Sequence, residues 1–148
     1  MVDHFAVTRT LAAPRPLVFE VLTNPESFAV WFGTEAVLVP QQSLEMEVRE
    51  GGTLRAVMVL PDGERVHWSG RFVAVQPPAH LALTLTDDPS QDPGEPLLFD
   101  LEEVADGTRL TIRQDRSGFS QEQIDATSAG YDAFIDDMAE LLATMQRT

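Results

Sequence analysis

The sequence predicts an α+β fold in which a curved antiparallel sheet wraps around one long C-terminal helix, with two short helices after the first strand. Three observations carry this prediction. The last segment keeps an unbroken helical repeat almost to the C-terminus, the middle of the chain alternates with the period of strands, and turn residues punctuate that alternation at short intervals. In the last segment Ile124, Tyr131, Phe134, Ile135, Met138, Leu141, Leu142 and Met145 recur mostly three and four apart, which places them on one stripe of a helix. Ser120, with Gln123 three residues on, forms a capping box that starts the helix. A helix from Ser120 to Met145 is roughly 40 Å long, enough to cross a whole sheet.

From the N-terminus, His4 to Leu11 sets Phe5, Val7, Arg9 and Leu11 against Ala6, Thr8 and Thr10, the alternation of a first strand. The period then changes. Ala12-Ala13-Pro14-Arg15-Pro16 leads into Leu17, Val18, Val21 and Leu22, a short helix with prolines near its first turn, where a missing N–H does no harm. Asn24 caps a second short helix, Pro25 takes its first position, and Phe28, Trp31 and Phe32 form its apolar stripe before Gly33 ends it. Strands are expected at Glu35 to Val39, Leu44 to Arg49, Thr53 to Leu60, Arg65 to Val75, His80 to Thr86, Leu97 to Val104 and Thr108 to Asp115. Glu50-Gly51-Gly52, Pro61-Asp62-Gly63 and Ala105-Asp106-Gly107 are hairpin-type turns, and Gln76-Pro77-Pro78 must turn because prolines donate nothing to a ladder. Asp87 to Pro96 is a long acidic loop. A sheet of this many strands twists and curls, and the C-terminal helix is the element large enough to fill its concave face.

The 148 residues have the size of one domain with one core. The absence of cysteine excludes disulfides, iron–sulfur clusters, thiolate zinc sites and a cysteine nucleophile. Met1 to His4 has no basic stretch followed by an apolar run, and no segment is apolar enough to span a membrane, so a cytoplasmic protein off the membrane is the expectation. The formal charge of -14, from 24 acidic residues against ten arginines and no lysine, argues against nucleic acid and anionic membranes as partners. His4, His67 and His80 show no ligand spacing, so no metal and no cofactor is expected, and no G-x-S-x-G or glycine-rich phosphate loop occurs. The pairs Asp87-Asp88, Glu102-Glu103 and Asp136-Asp137 read as solvated charges, because neighbours on a strand or helix point in different directions.

The ordered set Ala13-Pro14, Val18-Phe19, Leu22-Thr23-Asn24-Pro25, Trp31-Phe32-Gly33, Arg49-Glu50-Gly51-Gly52 and Pro61-Asp62-Gly63 resembles a known family. It continues through Ser69-Gly70, Gln76-Pro77-Pro78 with Leu81, Asp106 to Thr111, and Ser117-Gly118-Phe119. The resemblance is to the SRPBCC superfamily, the helix-grip fold of the major birch pollen allergen and START domains. Within it, the chain is similar to the family named after the C-terminal domain of the activator of Hsp90 ATPase. Such proteins often carry Gly-Trp in the final helix, where this chain has Gly130-Tyr131. The resemblance implies a cavity between sheet and helix, not a reaction.

Gly130 inside the helix reads either as room for a ligand or as close packing of the helix backbone on the sheet; the first reading, with the resemblance, makes non-covalent binding of a small hydrophobic or amphipathic molecule the expected activity. The candidate lining residues are Trp31, Trp68, Phe72, Leu83, Phe99, Ile112, Tyr131, Phe134 and Met138, and no residue is assigned a catalytic role. Trp68 shares parity with Phe72 if no bulge intervenes at Ser69-Gly70, and Trp31 reads either as core or as a wall at the cavity mouth. Arg109, Arg113 and Asp115 fall on the outward parity of the last strand. Arg113 or Asp115 could approach Tyr131 only if a bulge reversed that parity. Two other classes stay open: a cyclase- or aromatase-like enzyme, and a chaperone-interaction module. No additional N-terminal region is expected, which makes the chaperone role less expected than the name of the family suggests. A homodimer through a sheet edge is also compatible with the sequence.

Overall fold

The computed structural model describes residues 4–33, 37–88, 90, 94–115 and 118–146. Strands β1 (His4–Leu11), β2 (Glu45–Met46), β3 (Thr53–Val59), β4 (Arg65–Gln76), β5 (His80–Leu83), β6 (Leu97–Val104) and β7 (Gly107–Asp115) form one sheet. Its order is β1-β7-β6-β5-β4-β3-β2, and every paired neighbour is antiparallel. Helices α1 (Arg15–Thr23) and α2 (Pro25–Gly33) follow β1, and α3 (Gln121–Gln146) closes the chain. The meander therefore runs from β2 to β7, and β1 joins its far edge. Among the described residues, no helix is long and apolar enough to cross a membrane.

Local chemistry explains the helix boundaries. The Asn24 N–H donates to the Glu20 carbonyl at 2.8 Å and ends α1, while the Asn24 side-chain oxygen accepts the Glu26 N–H at 2.9 Å and caps α2. One residue thus fixes both helices at a sharp corner. The Trp31 indole N–H locks that corner by donating to the Val21 carbonyl at 2.9 Å. At α3, Ser120 Oγ accepts the Gln123 N–H at 3.1 Å and Gln123 Oε1 accepts the Ser120 N–H at 2.8 Å, the reciprocal capping box read from the sequence.

The core lies between the inner sheet face and α3. Leu54, Phe72, Leu81, Leu83, Leu110 and Ile112 from the sheet meet Ile135, Met138 and Leu142 from the helix, all essentially sealed from solvent. Arg9 shares the inward parity of β1 and reaches α3, pairing with Asp136 at 2.8 Å and Asp132 at 3.7 Å. Asp136, read from the sequence as a solvated charge, stays 66 % exposed yet takes this partner. At the opposite end, the buried Thr108 hydroxyl donates to the Ala13 carbonyl at 2.7 Å and ties β7 to the corner before α1.

Several strand expectations shorten. Residues 35 and 36 of the expected Glu35–Val39 strand lie outside the described residues, as do parts of the Asp87–Pro96 loop, Ser117 of the family motif and Met1 to Asp3. What is described of Glu35–Val39 is an isolated bridge between Leu38 and Val59, followed by a 3₁₀ turn at Gln41–Ser43. The expected Leu44–Arg49 strand contracts to β2 because the chain curls tightly after it, the Arg49 N–H donating to the Glu47 carbonyl and the Gly52 N–H to the Arg49 carbonyl, each at 2.8 Å. β5 ends at Leu83, although Thr84 and Thr86 still bond back to Arg71 and Ser69.

Trp68 and Phe72 share one face of β4 because no bulge separates them, and Gly70 between them allows the close approach of the neighbouring backbone. Pairing with β3 is continuous from Arg65 to Arg71, and the register shift against β5 comes only after Phe72. A Cβ at Gly70 would stand 1.7 Å from the Thr84 carbonyl oxygen, a backbone atom that cannot move aside. Gly70→Ala should therefore cost about 2–4 kcal/mol in denaturant unfolding. Ser120→Ala, which removes one half of the capping box, should cost about 1 kcal/mol.

Candidate functional site

A cavity of about 360 Å³ opens between the inner sheet face and the N-terminal half of α3. Met58, Trp68, Leu85 and Leu97 line it from the sheet side, Gln114 from β7, and Phe32 from α2. Helix α3 supplies Thr127, Gly130, Tyr131 and Phe134, and Glu95 stands at its edge, exposed. Behind it lies a pocket of about 20 Å³ with no polar lining, bounded by Phe28, Trp31, Leu83, Phe99 and Ile112. The two spaces share Phe32, Leu85, Leu97, Tyr131 and Phe134 as walls.

The rings form one connected set. Phe32 lies 4.8 Å from Phe28, 5.7 Å from Phe134 and 6.0 Å from Trp68, so this single α2 side chain touches helix, sheet and its own helix at once. Phe134 continues to Tyr131 at 6.1 Å, and Tyr131 to Phe5 at 6.4 Å. Phe28–Phe32 and Phe5–Tyr131 are stacked, and the other pairs are tilted or edge-on.

The nine residues expected from the sequence divide into three groups. Trp68, Tyr131 and Phe134 line the main cavity. Trp31, Leu83, Phe99 and Ile112 line only the small inner pocket, and Trp31 is 2 % exposed rather than at a mouth. Phe72 and Met138 are fully buried core and line neither space. The displacement is systematic. The cavity takes Leu85 where Leu83 was expected, Leu97 in place of Phe99, and Gln114 in place of Ile112. Leu85 and Gln114 lie two residues later on strands running one way, and Leu97 two residues earlier on the antiparallel strand between them. All three substitutions therefore move toward the same end of the sheet. On α3, Met138 is likewise one turn beyond Phe134, toward the packed end.

Gly130 has open space where a side chain would stand, with nothing within 4 Å of a built Cβ. The tight backbone packing that would otherwise explain a glycine inside a helix is therefore not its reason. Gln114, missed in the sequence reading, accepts the Tyr131 hydroxyl hydrogen bond. Its parity was legible, since it alternates with Leu110 and Ile112. Arg109 and Arg113 keep the outward parity and pair with Glu102 and Asp100, so no bulge carries Arg113 toward Tyr131. His80 bonds Asp100 at 2.7 Å on that outer face, and His67 is exposed opposite Trp68. Among the described residues, no group of three or more His, Asp or Glu could hold a metal ion.

Chemically, this wall binds and orients. Burial pushes the Tyr131 phenol well above its ordinary range, so at neutral pH it holds its proton and serves as a hydrogen-bond donor rather than a base. The Trp68 indole N–H is buried without a hydrogen-bond partner among the described residues.

A curved antiparallel sheet gripping a C-terminal helix over a mostly apolar cavity defines a helix-grip protein. The chain belongs to the family described as activator of Hsp90 ATPase homolog 1-like protein, whose model matches residues 12–143. Solved structures agree. A protein from Nitrosomonas europaea superposes with a TM-score of 0.84 at 24 % identity, covering 98 % of this chain and 97 % of that one. An AHSA1 protein from Silicibacter pomeroyi gives 0.78 at 22 % identity, with 97 % and 99 % covered. An AHSA1-like protein from Aeromonas hydrophila gives 0.78 at 15 % identity, with 97 % and 94 % covered. At these identities the likeness establishes the fold. No curated protein matches the chain.

Because the chain has one tyrosine, its alkaline absorbance titration reports Tyr131 alone. The folded protein should ionise well above the value of about 10 that the unfolded chain shows. The sign follows from linkage: the folded state keeps a proton that the unfolded state releases. The contribution is therefore level below about pH 10 and falls as pH rises from there through the folded value. A titration midpoint near 10 in the native protein would contradict the buried phenol.

Proposed function

We propose that this protein binds a small hydrophobic or amphipathic molecule, non-covalently, in the cavity beneath Gly130. The observation that carries the reading is the space itself: about 360 Å³ walled mainly by apolar side chains, at the one point of α3 where a residue has no side chain to fill it. A glycine within a helix costs about 1 kcal/mol relative to alanine. Close packing does not account for that cost here, and room for a ligand does. The volume lies at the low end of the roughly 300–1,000 Å³ common to small-molecule sites. Apolar walls supply the affinity, and the few polar groups on the wall fix orientation.

Thermal unfolding against a panel of fatty acids, aromatic polyketides, flavonoids and hydrophobic amines tests the reading. A ligand at about one hundred times its dissociation constant adds roughly 2.7 kcal/mol, which raises the midpoint by about 5–10 °C for a chain of this size. Gly130→Leu places a side chain in the open space. It should abolish that rise while leaving the unliganded midpoint equal or higher. A ligand that raises the midpoint of Gly130→Leu as much as that of the parent would place binding elsewhere.

A further inference from the structure

The chemistry of the cavity wall narrows the ligand class, an inference that rests on the binding reading above. Rings dominate the wall. Phe32, Trp68, Tyr131 and Phe134 offer faces and edges on three sides, and flat rings gain geometry-specific contacts there that a flexible alkyl chain does not. The hydrogen-bonding groups are unequal. The Tyr131 hydroxyl is already committed to Gln114, whereas the Trp68 indole N–H is buried without a partner among the described residues. Indole only donates, so what satisfies it is an acceptor.

Charge supplies the third constraint. Glu95 is the one charged residue among the described lining, and it is acidic. The nearest cation along β7, Arg113, lies on the outer face and is held by Asp100, while Arg9 is held by Asp136 and Asp132. Among the described residues, a carboxylate entering this cavity would lose its water and meet no counter-charge, in a chain of net charge -14. A cation would gain nothing from a donor N–H.

We propose that the cavity selects an uncharged aromatic molecule bearing a carbonyl oxygen, which accepts a hydrogen bond from the Trp68 indole, and that it rejects anionic amphiphiles. The volume suits two fused rings with a short substituent.

Three probes of nearly equal shape separate these terms: acetylnaphthalene, ethylnaphthalene and naphthoate of one substitution pattern, titrated by calorimetry. The ketone should bind about tenfold more tightly than the ethyl analogue, the value of one neutral hydrogen bond. It should bind at least about a hundredfold more tightly than naphthoate. In the parent protein, which has two tryptophans, one indole N–H proton resonance should shift downfield with the ketone and not with the ethyl analogue. Trp68→Phe keeps a ring, removes the donor and should bring the ketone down to the ethyl level. Glu95→Gln, a surface change that does not depend on Trp68→Phe folding, should narrow the ketone-to-naphthoate ratio about threefold. Ethyl and acetyl probes of equal affinity in the parent protein, or a preference for naphthoate, would overturn this inference and leave the binding cavity standing. Failure of all three probes to bind would overturn both.

Discussion

The aromatic wedge formed by Trp31 and Phe32 at the end of α2 is the contact on which the rest of the structure depends. The two residues stand between α3 and the sheet, Trp31 packed edge-on against Phe99 at 6.5 Å and Phe134 at 5.5 Å, Phe32 against Trp68 and Phe134. Two rings of that size cannot be compressed, because protein interiors are packed like organic crystals. They therefore set the separation of helix and sheet. The position of the wedge is itself fixed by Asn24, which ends one helix and caps the next, and by the Trp31 indole bond to Val21.

Along α3 the consequence changes with distance from the wedge. Toward the C-terminus, Ile135, Met138 and Leu142 pack with Leu81, Leu101 and Leu110 in the sealed core, and none of them lines either space described above. Toward the N-terminus the helix presents Thr127 and Gly130, small residues, to the cavity, and the space stays open. A packed half anchors the fold, and the unpacked half is free to take a ligand. This division explains how one domain tolerates a hole: the stabilising burial is concentrated at the end away from the cavity.

The sheet, both short helices, the capping box and the family resemblance were legible because each depends on local sequence: alternation, turn chemistry, cap residues and helical spacing. The inner face of each strand was legible for the same reason. Depth along the strand was not. Alternation says that Leu83 and Leu85 face one way, and says nothing of which lies beneath the wedge and which beyond it. Leu83, Phe99 and Ile112 lie one alternation farther from the opening than Leu85, Leu97 and Gln114, and Phe72, the cross-strand partner of Leu83, and Met138 line neither space. Gln114 shows a different loss. Its inward parity was available, but a polar residue near the end of a strand reads as solvent-facing until Tyr131 is known to sit across from it. The curl begins at Glu47, ahead of the Glu50-Gly51-Gly52 turn legible in the sequence, because its first turn rests on backbone bonds that no side-chain pattern announces.

The open space beneath Gly130 is the central claim, and a crystal structure of the unliganded protein under xenon pressure tests it most directly. Xenon enters dry apolar cavities without needing polar contacts. The account predicts a xenon peak between Gly130 and Trp68, bounded by Phe32 and Phe134, and none in the half of the core around Met138. A structure in which Phe32 or Tyr131 swings under Gly130 and leaves no room for the atom would contradict it.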